Sequence, residues 1–289
     1  MSLSASSSDA SVPPDPLRVM EGLLNVAYAK AKGWGFTYLT LQATLYLLGV
    51  AAIFVPRITL TYPLYALPLA LVSAWLIAQA NRYKGIAEAL KRQHEYVAGF
   101  GQAPCRRLLA DLKMELPHDL SSRLDEVLRE GITYASKKPF GAARVVENLA
   151  ESAWFSRHMA RYCVLALRAV FILTLVVAVV LLLLCAISLG GTPVGVGAAK
   201  CVSATFLFLI SVGTLRFWLS YDAFSRKSEQ TEVEASRLQS AGEPDLREAQ
   251  RLLAEYQLAR AAAPLIPTWM WLLFRKRLNN NWALRSARD

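Results

Sequence analysis

The residues that could do chemistry in this chain are few and scattered. His94, His118 and His158 lie far apart, without the HExxH spacing that sets two imidazoles on one helix face around a metal. Glu147 and Glu151 share a helix face with His158, which could form a proton-handling cluster or simply a solvated helix surface. Cys105, Cys163, Cys185 and Cys201 have no CxxC spacing, and three of them lie in or at apolar stretches. That pattern fits small buried hydrophobes rather than a disulfide framework or a zinc site. The glycine-rich GGTPVGVG stretch from Gly190 follows no strand, so it reads as a flexible turn and not as a phosphate loop. The residues indicate no enzyme, no cofactor and no metal.

The polar residues of greater interest sit inside apolar stretches. Thr40, Gln42 and Thr44 cluster in the first half of one such stretch. They either hydrogen-bond between helices or line a water path. Arg216 lies five residues from the end of another. A charge at a span's centre costs about 2.5–3.5 kcal/mol on insertion scales, so Arg216 either snorkels to the interface or pairs inside the membrane.

These residues must be positioned by membrane-spanning helices. Ala169 to Leu189 is an uncharged run of 21 residues without Gly or Pro. As a helix it is roughly 31 Å long, close to the thickness of a bilayer's hydrocarbon core. Only a helix or a closed barrel satisfies its own backbone in lipid, and the lack of alternation selects the helix. Three further stretches read as spans: Phe36 to Val55, Pro63 to Ala80, and Cys201 to Tyr221. Pro56 and Arg57 begin a turn through Tyr62, and Pro68 should kink the second span or end that turn.

The fold expected is all-α: a polytopic membrane protein with four transmembrane helices in two hairpins and a helical cytosolic region. Residues 1–16 are Ser-rich with little to bury and read as a disordered tail, with no basic segment leading an apolar signal core. Residues 17–80 hold an amphipathic lead-in helix and the first hairpin, residues 81–162 a helical insert, and residues 163–221 the second hairpin. Residues 222–289 form C-terminal helices. Within the insert, Arg106 to Met114 and Ser122 to Ser136 are helix candidates, the second capped by Asp119 or Ser121. The two halves share a plan of lead-in helix, span, short turn, span and charged exit helix. The tail helix from Thr268 carries Trp269, Trp271, Phe274, Arg275, Lys276, Arg277 and Trp282. It either lies in the membrane interface or packs its Trp face on the preceding helices.

The chain is 54% apolar and 19% charged, with net charge +10. In a soluble protein such basicity would point to nucleic acid. Here the charges flank the spans, so the partner is membrane lipid and not nucleic acid. The insert from Arg82 to Tyr162 holds 14 Lys and Arg, the part from Asp222 holds 11, residues 1–36 hold 3, and the two short turns hold one each. The positive-inside bias puts both termini and the insert in the cytoplasm.

Three stretches carry a resemblance. They are YAKAK, with Tyr28, Lys30 and Lys32, the two hairpins around an insert, and PLIPTWMW, from Pro264 through Pro267 and Trp269, followed by Arg275, Arg277 and Asn280. Together they resemble the SMODS-associating four-transmembrane effector family. The resemblance implies a pore-forming effector of bacterial antiphage defence, encoded beside a nucleotidyltransferase. Such a chain would sense a cyclic nucleotide, act as a homo-oligomer and permeabilise the inner membrane. The rival reading is a constitutive channel, transporter subunit or membrane scaffold without nucleotide gating.

The charge bias predicts the outcome of reporter fusions. A reporter active only outside the cytoplasm is expected to work when joined at Gly191 and to be silent at Arg123 or after Asp289. A strong signal at Arg123 would overturn the four-span topology.

Overall fold

In a computed structural model the described residues are 16–116, 136–188 and 192–286. The tail before Pro16, His118, all but Ser136 of the Ser122 to Ser136 helix candidate together with its caps, and the Gly190–Gly191 tip fall outside them. All regular structure among the described residues is helical. In chain order the helices are α1 (Pro16–Phe54), α2 (Pro56–Phe100), α3 (Arg106–Met114), α4 (Ala142–Ser188), α5 (Pro193–Ser211), α6 (Thr214–Ser240), α7 (Leu246–Ala262) and α8 (Thr268–Ser286).

Four stretches are long and apolar enough to cross a membrane: Leu17–Phe54, Thr61–Phe100, Ala142–Leu184 and Pro193–Ser240. Their apolar side chains stay uncovered, Leu67 at 69% and Leu173 at 65% exposure among them. Water would penalise such a surface heavily, and lipid would not. The chain is a multi-pass membrane protein. Each long helix exceeds what a bilayer needs: α4, with 47 residues, is about 70 Å long. The excess forms stalks that carry the spans into a helical body on one side of the membrane.

The first hairpin is tighter than the sequence suggested. Val55 alone separates α1 from α2. Pro56 starts α2, where its fixed φ suits the first turn and its missing N–H costs nothing. Pro63 and Pro68 lie within the helix rather than in a turn. Thr59 donates its hydroxyl to the carbonyl of Ala52, the acceptor that Pro56 leaves without an amide, and Thr61 bonds the carbonyl of Arg57 at 3.2 Å.

The second hairpin also corrects two expectations. GGTPVGVG is not a loose tip throughout, because Thr192 caps α5 by accepting from the Gly195 amide, and Pro193 opens the helix. Its glycine at 197 serves packing: a Cβ there would sit 2.8 Å from Phe54 Cε1 at the end of α1. The expected continuous span from Cys201 to Tyr221 breaks at Gly213, whose φ of 77° lies in the left-handed region. Below this break α6 restarts and exits the membrane.

The body has two apolar cores. One gathers Leu23, Leu24 and Ala27 of α1, Ile86 and Leu90 of α2, and Leu112 of α3. The other gathers α4, α6, α7 and α8 around Leu149, Phe224, Leu253, Tyr256 and Leu278. The first core belongs to the first hairpin's stalk and the second to the other hairpin.

Candidate functional site: a buried ionic latch between the stalks

The two cores meet at a cluster of charges. Lys84, Glu88 and Glu95 recur on α2 at spacings of four and seven, so they line one face of its stalk. Arg260 and Gln257 project from α7, and Tyr28 from α1. Arg260 Nε donates to Glu88 Oε2 at 3.0 Å, and Arg260 Nη2 donates to Glu95 Oε2 at 3.2 Å. Arg260 Nη1 also donates to Glu95 Oε1. Gln257 Nε2 donates to Glu95 at 2.8 Å, and the Tyr28 hydroxyl to Glu88 at 2.6 Å. Arg260, Glu88 and Glu95 are all buried.

The planar guanidinium suits this place, since its donors fork between two carboxylates at fixed angles. Its group also lies over the Tyr256 ring, 5.5 Å from the centroid. Tyr256 in turn donates to the carbonyl of Ser152 on α4 at 3.1 Å and meets the Ser156 hydroxyl at 2.7 Å. The cluster therefore joins α1, α2, α4 and α7. A void of only about 10 Å³, bordered by Asn148, Ser152 and Leu253, lies beside Glu95. That is room for about one water molecule and not for an organic ligand.

Protonation follows from burial and charge. Burial pushes the Glu95 carboxyl up, but Arg260 and Lys91 beside it hold it below the ordinary carboxylate value. Burial pulls Arg260 down, and Glu95 and Glu88 more than restore it, so the guanidinium stays charged. Burial and the Glu88 carboxylate push the Tyr28 phenol up, so it donates and does not ionise. Burial and the Arg260 charge lower the Lys91 ammonium. Nearby, His94 meets Glu21 of α1 at 3.1 Å, and burial holds the imidazole below its usual value despite that carboxylate.

A second set of contacts lies just below the spans. Lys84 Nζ donates to the carbonyls of Ala261 and Ala263 at 2.6 and 2.5 Å, capping the end of α7. The Tyr221 hydroxyl of α6 donates to the carbonyl of Leu265 at 2.7 Å, and Lys32 of α1 donates to Thr268 at 3.2 Å. The segment from Ala261 to Thr268 thus touches the stalks of α1, α2 and α6. Tyr162 of the α4 stalk stacks on Phe274 of α8, with centroids 3.9 Å apart.

The residues singled out from sequence fall into separate places. Tyr28 joins the latch, Lys32 reaches Thr268, and Lys30 is exposed. Pro264 and Pro267 frame the connection, while Trp269, Arg275, Arg277 and Asn280 are exposed on α8. In the membrane, Gln42 donates to Ser73 of α2 at 2.6 Å. Thr40 and Thr44 are exposed and bond the carbonyls of Phe36 and Thr40 at 3.0 Å each. Arg216 is exposed in the first turn of α6, without an ion pair to another described residue. Glu147 is engaged by Ser136 and Lys138, about 16 Å along α4 from His158, which instead packs against Trp154. Among the described residues no three His, Cys, Asp or Glu side chains converge on a metal position.

Sequence reasoning missed Arg260, Glu88 and Glu95. The signal was present: Ala249, Leu253 and Tyr256 form the buried stripe of α7, and Arg260 continues it at the next step of four. It also missed Tyr46, whose hydroxyl meets Thr205 of α5 at 2.7 Å and whose ring stacks on Phe208 at 4.7 Å, linking the hairpins inside the membrane. A groove of about 460 Å³ runs between α6 and α7. Two of its cations are already paired, Lys227 with Glu255 at 2.7 Å and Arg237 with Glu234 at 3.6 Å.

Compared with known proteins, the chain matches no protein-family model, no curated protein and no solved structure. The class that the fold defines is a four-span helical membrane protein whose two stalks are joined by buried charges.

The latch predicts a stability signature. Removing one partner of a buried ion pair strands the others, so Arg260→Ala should cost about 3–5 kcal/mol in lipid or detergent. The sign of the pH effect follows from the shifts. Glu95 and His94 are depressed, so their contributions are lost as pH falls. Without Arg260, burial pushes the stranded Glu95 carboxyl up and acid relieves it. The gap in melting temperature between wild type and Arg260→Ala should therefore narrow from pH 7 to pH 5. A gap that stays constant would mean that the carboxylates are not held by Arg260.

Proposed function

We propose that the chain is a non-enzymatic effector of bacterial antiphage defence, in the inner membrane with both termini cytoplasmic. On a cyclic-nucleotide signal it assembles as a homo-oligomer and permeabilises the bilayer. The family resemblance in YAKAK and PLIPTWMW supports this reading, as does the four-span architecture. The observation that carries it is an exposed polar stripe in the first span. Thr37, Thr40 and Thr44 lie at spacings of three and four on the uncovered face of α1. Lipid gains nothing from hydroxyls there, but several copies brought together could turn the stripe inward to water.

A single copy offers no such path. Gln42 is consumed by Ser73 and Tyr46 by Thr205. The latch supplies the resting state, because it ties the C-terminal helices to the first hairpin while the spans stay closed. Moving an equilibrium from one per cent open to ninety-nine needs about 5.5 kcal/mol of differential binding. Several subunits acting together can supply that where one site of modest selectivity cannot.

Toxicity should therefore rise steeply with signal. The test is co-expression with the neighbouring nucleotide synthase, active or catalytically dead, followed with a potential-sensitive dye. Depolarisation only with the active synthase, ahead of any loss of DNA or nucleotide pools, is the expected result. An identical response with the dead synthase contradicts signal gating. Death with polarised membranes and degraded DNA or depleted cofactor contradicts the pore.

A further inference from the structure

The α8 helix divides its residues by face. Met270, Phe274, Leu278 and Trp282 turn inward, and Trp282 meets Trp154 of α4 with centroids 5.3 Å apart. The outward face has two parts in sequence. Trp269, Leu272 and Leu273 come first, at 59%, 58% and 66% exposure. Arg275, Lys276 and Arg277 follow, all exposed and none in an ion pair with another described residue. No acidic residue lies on α8.

Two contacts place the start of this helix relative to the bilayer. Thr268 is tied to Lys32, which stands about 6 Å before Phe36, where the first apolar span begins. Leu265 is tied to Tyr221, the residue that closes the apolar run of the fourth span. Both rulers put the first turns of α8 in the headgroup layer, which adds roughly 5–8 Å to each side of the hydrocarbon. There Trp has its preferred place, with its ring against acyl carbons and its N–H in the wet zone. The basic triplet follows about 10 Å further along α8, within about a Debye length of an anionic headgroup surface.

We infer that the outward face of α8 is an anionic-lipid docking surface: Trp269, Leu272 and Leu273 enter the headgroup layer, and Arg275, Lys276 and Arg277 are drawn to the negative potential of an anionic leaflet. The charge pattern selects lipid over a second copy of the chain, because an all-basic helix finds its complement in an anionic leaflet. The same helix holds Lys32 and, through Pro264–Pro267, adjoins Arg260. Lipid binding on its outer face therefore fixes the level at which the C-terminal helices grip the stalks.

The experiment uses the full chain in nanodiscs of phosphatidylcholine with or without phosphatidylglycerol, the acyl chains brominated or not. The emission lost on Trp269→Phe with Trp271→Phe isolates the signal of those two rings. That component should be quenched by brominated chains, as Trp34 and Trp75 beside the spans provide a control for contact. A component quenched by aqueous iodide but not by bromine would overturn the proposal. So would a component that bromine quenches less as the number of copies per disc rises, which would assign the face to contacts between copies. Separately, phosphatidylglycerol should raise the melting temperature of wild type and lose most of that effect in Arg275→Gln/Lys276→Gln/Arg277→Gln. An equal rise in both proteins, with unchanged helix content, would also overturn it.

Discussion

Arg260 stands between Glu88 and Glu95 where two apolar cores meet, and the body depends on that neutralisation. An ion alone in such a place costs several kcal/mol to desolvate, and each carboxylate would pay the same. Together they are satisfied, with Tyr28 and Gln257 filling further acceptor positions. A fully apolar contact could be as stable. What the charges add is discreteness: the two stalks fit in one register, and a partly separated state leaves charges without partners.

The membrane part is built on a different economy. With lipid outside, apolar burial drives little association between helices, so close packing and polar side chains hold the hairpins. Gly197 admits Phe54, Gln42 finds Ser73, and Tyr46 finds Thr205. These contacts join neighbours and leave most of each span facing lipid. The body meets the spans in the short zone where Lys84, Tyr221, Lys32 and Tyr162 contact the C-terminal helices and their connection.

Much of this was legible in the sequence because membrane spans declare themselves locally. The run from Ala169, the helix from Arg106 to Met114 and the start of the tail helix at Thr268 follow from hydrophobic length, turn residues and periodicity. The turn read into residues 56–62 is absent: Pro56 opens α2 and Pro63 and Pro68 lie inside it, since a helix in lipid tolerates proline more readily than one in water. Gly213 was invisible because one left-handed residue leaves the apolar pattern intact. The latch was hidden for another reason. Each of its charges resembles an ordinary surface charge until helices far apart in sequence are brought together, and only Arg260 betrayed itself by continuing a buried stripe.

The central claim is that Arg260 couples α7 to the first hairpin's stalk and does not merely stabilise its own helix. Amide hydrogen exchange of the full chain in lipid tests it most directly, by comparing wild type with Arg260→Ala. If the latch couples the two, residues 84–97 of α2 and 246–262 of α7 lose protection together, while residues 36–54 of the first span keep theirs. Loss confined to α7, with α2 as protected as in wild type, would contradict it.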